Sequence, residues 1–118
     1  MTVPLYQAKA EFFRTLGHPA RIRILELLAE QELAVHELLD RIEIEPSNLS
    51  QQLAVLRRAG LVTQRRVSGE VRYAISVQEV RELLIVARRI LLGVIEDRDQ
   101  LKHDLEASAP PASSAVER

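Results

Sequence analysis

A change of periodicity at Gly60 constrains the fold of this chain more than any other feature. Before Gly60, Leu49, Leu53 and Leu56 recur at helical spacing and form one narrow apolar stripe. Pro46 suits the first position of such a helix, and Gly60 suits the position just past its end. The sequence therefore predicts a short helix over residues 46–59.

The segment after Gly60 has the composition of β-strands. Residues 61–67 and 71–75 are rich in β-branched and aromatic residues. Between them lies Ser68-Gly69-Glu70, where the glycine permits a tight reversal. We expect a two-stranded hairpin over residues 61–75 directly behind the helix, which is the arrangement called a wing.

The face of helix 46–59 opposite the leucine stripe is polar without being a mixture of Lys and Glu. Its hydroxyl, amide and guanidinium groups can donate to and accept from base edges in a DNA major groove. Short polar residues also favour first helical turns for local reasons, but Gln51 lies too deep in the helix for that explanation. The candidate DNA-contacting residues on this helix are Ser47, Asn48, Ser50, Gln51 and Arg58.

Charge is unevenly distributed along the chain, whose net charge is −1. Residues 46–76 carry five arginines and one acid, giving +4, so the remainder carries −5. A local basic surface is what binding to DNA phosphates requires, whatever the net charge. We therefore expect the wing arginines, Arg65, Arg66 and Arg72, to contact the DNA backbone rather than to be ordinary solvated residues.

Helical periodicity covers most of the remaining chain. It predicts helices over residues 5–16, 19–30, 33–42 and about 77–105, with Ser76 and Glu79 forming a capping box for the last. The third helix and helix 46–59 then form a helix-turn-helix. His18 is expected to cap or orient the turn before Pro19.

The last helix is too long for a small domain to cover, so the sequence predicts a partner helix and a homodimer. Apolar residues follow one another at alternating spacings of four and three along this helix. Together with the first helix, they give the predicted dimer interface: Leu5, Phe12, Val80, Leu84, Ala87, Leu91, Val94 and Leu101. We expect residues 1–106 to form one DNA-binding and dimerisation domain and residues 107–118, with two adjacent prolines, to be a disordered tail.

Composition and motifs exclude several classes of protein. The chain has no cysteine, which excludes disulfides and thiolate metal sites. It has neither a long uncharged apolar segment nor a recognisable signal peptide, so we expect a cytoplasmic protein without membrane partners. No phosphate-binding glycine loop or spaced nucleophile and base is present, so the sequence predicts neither an enzyme nor a cofactor.

These elements and motifs together resemble the ArsR/SmtB family of small bacterial winged-helix regulators. The resemblance rests on residues 16–25, on Ser47-Asn48-Leu49-Ser50-Gln51-Gln52-Leu53, on Ala59-Gly60-Leu61-Val62 and on Val71-Arg72-Tyr73. It implies a mainly α fold with a small β-hairpin, a winged helix-turn-helix in the order ααααββα. It further implies a homodimer, joined through the first and last helices, that binds palindromic double-stranded DNA and usually represses transcription.

Metal sensing is the part of the family's function that the sequence does not favour. The family's metal-binding cysteines align with Ala34 and His36, and the last helix has no histidine before His103. We therefore predict no metal site, although Glu96, Asp99 and His103 have a spacing that could supply a site without cysteine. A winged-helix module that binds only proteins is the other alternative, and the sequence leaves open whether a small-molecule effector exists.

Overall fold

The computed structural model describes residues 2–108. Five helices and three short strands follow one another in the order α1, α2, β1, α3, α4, β2, β3, α5. Their bounds are α1 Leu5–Leu16, α2 Pro19–Glu30, β1 Leu33–Ala34, α3 Val35–Leu39, α4 Pro46–Arg58, β2 Val62–Val67, β3 Glu70–Ile75 and α5 Gln78–Ser108. The helix-turn-helix formed by α3 and α4, with the hairpin β2–β3 behind it, confirms the predicted winged helix-turn-helix class.

The third predicted helix is shorter than expected, and its first two residues form a strand. Leu33 and Ala34 pair with Tyr73 and Arg72 of β3, so the sheet has three antiparallel strands in the order β1-β3-β2. The carboxylate of Glu37 accepts the Ala34 N–H at 2.9 Å, which satisfies a backbone donor at the start of α3. The prediction of a helix over residues 33–42 was therefore wrong at both ends, and the two-stranded hairpin gains a third strand.

The wing closes through a two-residue turn at Ser68 and Gly69. Strands β2 and β3 pair in register from Val62 opposite Ile75 to Val67 opposite Glu70. Both turn residues have positive φ, 52° at Ser68 and 81° at Gly69. Positive φ at both central positions is the geometry of a type I′ turn, which matches the twist of the two strands.

The core lies between α2, α4, β1, β2 and the start of α5. His18 caps α2 as predicted, because its Nδ1 accepts the Ala20 N–H at 3.2 Å. One face each of α2 and α4 is buried here, and α2 contributes the fully buried Ile24 and Leu25. The cluster comprises Leu16, Ile24, Leu25, Leu27, Leu28, Leu33, Leu38, Leu49, Leu53, Leu56, Leu61, Val62 and Val80.

Helix α5 begins without the predicted capping box. The Ser76 hydroxyl donates to the Gly60 carbonyl at 2.5 Å, so it is engaged outside the helix. The Val77 carbonyl instead accepts the Val80 N–H at 3.1 Å in the first turn of α5. The helix then runs to Ser108, so Ala107 and Ser108 of the predicted tail are helical, and the rest of that tail lies outside the described residues.

The chain divides into two compact units within α5, at Leu84 and Ile85. The first unit holds the sheet and the helices α1 to α4, together with the start of α5. The described part of the second unit is the remainder of α5 and exposes many large apolar side chains: Ile85, Val86, Ile90, Leu91, Leu92, Val94, Ile95, Leu101 and Leu105.

Among residues 2–108, no helix has both the length and the apolar character that crossing a membrane requires.

Candidate nucleic-acid interface

Helix α4 presents one apolar and one polar face, as its sequence predicts. Leu49, Leu53 and Leu56 are at most 1% exposed and belong to the core. The predicted DNA-contacting residues are all exposed on the remaining surface, which we call the polar face of α4: Ser47, Asn48, Ser50, Gln51 and Arg58. This face carries no carboxylate, so nothing on it would repel phosphate.

A Schellman motif ends α4 and connects it to the wing. The Leu61 N–H donates to the Leu56 carbonyl and the Gly60 N–H donates to the Arg57 carbonyl, both at 3.0 Å. The motif requires a left-handed residue, and Gly60 has φ of 78°. Leu56 and Leu61 are both buried, so an apolar contact accompanies the two hydrogen bonds. The end of α4 and the start of β2 are thereby held in a defined geometry.

Gln52 is the functional candidate that the sequence analysis missed. It is 8% exposed, and among residues 2–108 it is the one buried residue with a polar side chain. Its Oε1 accepts from Arg21 Nε at 2.8 Å, and its Nε2 donates to Asn48 Oδ1 at 2.9 Å. Arg21 also donates to the Thr15 carbonyl near the end of α1 at 3.1 Å. A hydrogen-bonded chain therefore runs from α2 through the interior to the polar face of α4.

Arg65 and Arg66 of the wing differ in their hydrogen-bond partners within the protein. Arg66 is exposed, and its Nη1 donates to the Gly69 carbonyl of the turn at 3.0 Å. Arg65 forms a bidentate pair with Glu32 at 2.7 and 2.9 Å, although 66% of its side chain remains exposed. Arg66 thus pairs with no carboxylate among residues 2–108, whereas Arg65 shares its charge with Glu32.

Arg72 is enclosed by a group that we call the carboxylate cluster, namely Glu32, Glu37 and Glu70. Its guanidinium lies 3.2, 3.1 and 2.7 Å from one oxygen of each of these residues, and its side chain is 24% exposed. It also donates to the Glu32 backbone carbonyl at 3.2 Å. This geometry favours a structural role for Arg72, which ties β3 to α3 and to the residue before β1, over the predicted phosphate contact.

The pKa of each member of the carboxylate cluster is lowered by its neighbours. The hydrogen bond from Arg65 is the main cause for Glu32, followed by the positive charges of Arg65 and Arg72. The backbone N–H of Ala34 is the main cause of the lowered pKa of Glu37. Hydrogen bonds from His36 and then Arg72 lower the pKa of Glu70. All three therefore favour the ionised form, which keeps Arg72 in place.

Within the described residues, side chains of the metal-ligating type come together at His36, Glu37 and Glu70. Their ligand atoms lie within 4.8 Å of one another, and His36 Nε2 is 2.9 Å from Glu70 Oε2. Arg72 pairs with both carboxylates and so already supplies a positive charge there. Glu96, Asp99 and His103, the alternative site suggested by the sequence, are exposed on α5 and are not part of this cluster.

The residues of the predicted dimer interface fall into three groups. Val80 is 3% exposed and belongs to the core of the chain itself, so it is unsuited to contact a second subunit. Phe12, Leu84 and Ala87 are half-buried. The exposed members are Leu5, Leu91, Val94 and Leu101.

Comparison with known proteins identifies relatives over most of this chain. The family model described as bacterial regulatory protein, arsR family, matches residues 18–64. The HTH-type transcriptional regulator Rv0081 of Mycobacterium tuberculosis is 55% identical over 105 residues, which are 88% of this chain and 92% of that protein. The crystal structure of Rv0081 matches with a TM-score of 0.76 over 82% of this chain and 98% of that chain, at 56% identity.

Two further solved structures share the fold. The transcriptional repressor BigR from Xylella fastidiosa is 34% identical, with a TM-score of 0.68 over 72% of this chain and 87% of that chain. The homodimeric winged helix-turn-helix DNA-binding domain of Mb0332 from Mycobacterium bovis is 27% identical, with a TM-score of 0.70 over 79% of this chain and 86% of that chain.

Proposed function

The chain belongs to the arsR family of bacterial regulatory proteins, and from this premise we propose that it is a homodimeric, sequence-specific DNA-binding repressor of transcription. It would act in the cytoplasm, bind double-stranded DNA without catalysing a reaction, and occupy a palindromic operator. With α4 of each subunit in a major groove, the two half-sites would lie about one helical turn, roughly 34–36 Å, apart.

The observation that carries this proposal is the polar face of α4. Gln51 is exposed in the middle of the helix and offers both an acceptor and two donors, which suits a paired contact to an adenine edge. Ser47 and Ser50 are exposed on the same helix and can bond to bases or phosphates. The opposite face is anchored by fully buried leucines, so the helix is a rigid support for these groups.

Phosphate contacts would come from arginines beside this face. Arg58 is exposed at the end of α4 and Arg66 is exposed on the wing. Arg65 can contribute as well, with Glu32 orienting its guanidinium. We assign Arg72 to the support of the wing, since three carboxylates enclose it.

Dimerisation is supported by the exposed apolar surface of the second unit and by the homodimeric Mb0332 domain. An isolated helix with this many exposed large apolar residues would be unstable in water, and a second copy of the chain would cover them. We propose that Leu91, Val94 and Leu101 contact the other subunit, as does Leu5 of α1.

The test begins with duplexes selected from a random pool by the wild-type protein, whose binding is then measured by fluorescence anisotropy. Gln51→Ala should lose about 1–3 kcal/mol of discrimination between the selected site and a scrambled duplex. Its affinity for the scrambled duplex should remain at the wild-type value. Gln7→Ala, the same truncation at an exposed position of α1, is the control.

The wing is tested by the dependence of binding on salt. Arg66→Ala should weaken binding to both duplexes and reduce the slope of log K against log salt by about 1. Arg23→Ala removes the same charge from an exposed position on α2 and should leave the slope unchanged. A reporter carrying the selected site should be less active in the presence of the protein. If no duplex binds even at low salt, the proposal fails and a protein-interaction module becomes the better explanation.

A further inference from the structure

The hydrogen-bonded chain Arg21–Gln52–Asn48 has a fixed direction. A guanidinium has only donors, so Gln52 must turn its oxygen toward Arg21, 2.8 Å away. The Gln52 amide nitrogen is then directed at Asn48 and must donate to it, at 2.9 Å. Asn48 therefore accepts with its oxygen, and its amide nitrogen is left with two N–H donors.

Burial makes this direction costly to reverse. Gln52 is 8% exposed, so turning its amide would place nitrogen against the guanidinium and leave buried polar atoms unsatisfied. Asn48 is exposed on α4, and its amide nitrogen has no hydrogen-bond acceptor within residues 2–108. The free donors thus lie on the surface that we have proposed to meet DNA.

We propose that Gln52 is a positioning residue that makes Asn48 a hydrogen-bond donor toward DNA, and that Asn48 accordingly recognises an acceptor. This inference rests on the proposed function and deepens it. The acceptor can be a base edge or a phosphate oxygen. Among bases, guanine offers two acceptors in the major groove and thymine offers one, whereas adenine places a donor amine beside its one acceptor, so a paired contact to adenine would need the asparagine oxygen as well. That oxygen already accepts from Gln52.

The decisive variant is Gln52→Glu, which keeps the bond to Arg21 but has no donor for Asn48. The Asn48 amide would then turn, donating its nitrogen to the introduced carboxylate and presenting its oxygen to DNA. The size of the side chain is unchanged and a charge pair replaces the bond to Arg21, so the fold is retained. The readout is the base preference at each position of the selected site, which is insensitive to any general loss of affinity caused by the new charge.

For a base contact, we expect wild type to prefer guanine or thymine at one position of each half-site by about fivefold, the ratio that one hydrogen bond of about 1 kcal/mol supplies. Gln52→Glu should shift the preference at that position to adenine or cytosine, whose exocyclic amines are donors. If Asn48 instead contacts a phosphate, Gln52→Glu should change the base preference at no position of the site. Gln52→Glu and Asn48→Asp, which also lacks a donor, would instead weaken binding equally on all sequences.

A double-mutant cycle separates positioning from a merely structural role. If Gln52 acts through Asn48, adding Gln52→Glu to Asn48→Ala should leave base preference unchanged, and it should lower affinity less than it does in the wild-type protein, because only the general effect of the new charge remains. Additive losses in the double variant would overturn the inference while leaving the proposed function intact. The inference would also be overturned if Gln52→Glu changed neither base preference nor affinity. A wild-type protein that selects no sequence would overturn the proposed function, and this inference with it.

Discussion

Gly60 offers the sharpest test of how α4 is joined to the wing. With φ of 78°, it occupies a left-handed conformation that closes the Schellman motif. A Cβ added at this position would meet no atom within 4 Å, so Gly60→Ala would introduce backbone strain but no steric clash. The cost of the substitution can therefore be worked from backbone conformation alone.

An L-residue in the left-handed region costs about 1–2 kcal/mol. Alanine also lowers the conformational entropy of the unfolded chain, which offsets about 0.4–1 kcal/mol of this cost. The net destabilisation by Gly60→Ala should then be about 1 kcal/mol, corresponding to a fall in Tm of about 4–8 °C for a domain of this size. Gly60→Asn should lose less, because asparagine tolerates positive φ better than alanine.

Gly60→Asn serves as the matched control, because it changes the same position to a residue that tolerates the left-handed conformation better than alanine does. Both variants would be followed by circular dichroism during thermal unfolding at one protein concentration, since dimerisation makes Tm depend on concentration. A Gly60→Ala variant that melts at or above the wild-type temperature would refute the left-handed connection.

Four further outcomes follow from the structure. Leu53→Ala empties a core position that is 1% exposed and should cost about 2–5 kcal/mol in urea denaturation, whereas Gln51→Ala should stay within about 0.5 kcal/mol. Equal losses would contradict the assignment of the two faces of α4. Ser68→Asn should raise the unfolding midpoint because Asn-Gly suits a type I′ turn, and a lowered midpoint would argue against that turn. Ion pairing lowers the pKa of Glu32, so its contribution to stability is complete above the unfolded-state pKa of about 4.3 and is lost as pH falls through the lower folded-state pKa. Glu32→Gln should consequently flatten the acid side of the stability profile, and an unchanged profile would show that the pair contributes nothing. Leu91→Glu should convert the dimer to a monomer in analytical ultracentrifugation, and a persistent dimer would place the interface elsewhere.

The sequence predicts best the elements that depend on interactions between residues close to one another along the chain. The bounds of α1 and α2 agree with the periodicity, and the cap at His18 agrees with the glycine and proline on either side of it. The polar face of α4 follows from the leucine stripe alone. Each of these features depends on residues only a few positions apart, so a single sequence contains the information.

The features that sequence misses depend on distant residues. A strand of two residues, such as Leu33–Ala34, has no periodicity of its own and exists because β3 has a free edge. Gln52 lies on a helix where glutamine is normally solvated, and its burial depends on Arg21, 31 positions earlier. Ser76 has the sequence of a helix cap but bonds to Gly60, 16 positions before it.

Sequence also fails to show which arginines are already paired with distant acidic residues. This pairing changes which arginines are available to contact DNA phosphates. The surplus of positive charge in residues 46–76 assumes that every arginine there is available. In the structure, Glu32 and Glu37, which lie outside that segment, pair with Arg65 and Arg72 of the wing. Acidic residues that sequence assigns to the rest of the molecule thus neutralise part of the basic surface. Within residues 46–76, the arginines that pair with no carboxylate of the described chain are Arg57, Arg58 and Arg66. We expect the salt dependence of DNA binding to reflect these three arginines and Arg65, whose side chain stays 66% exposed, but not Arg72.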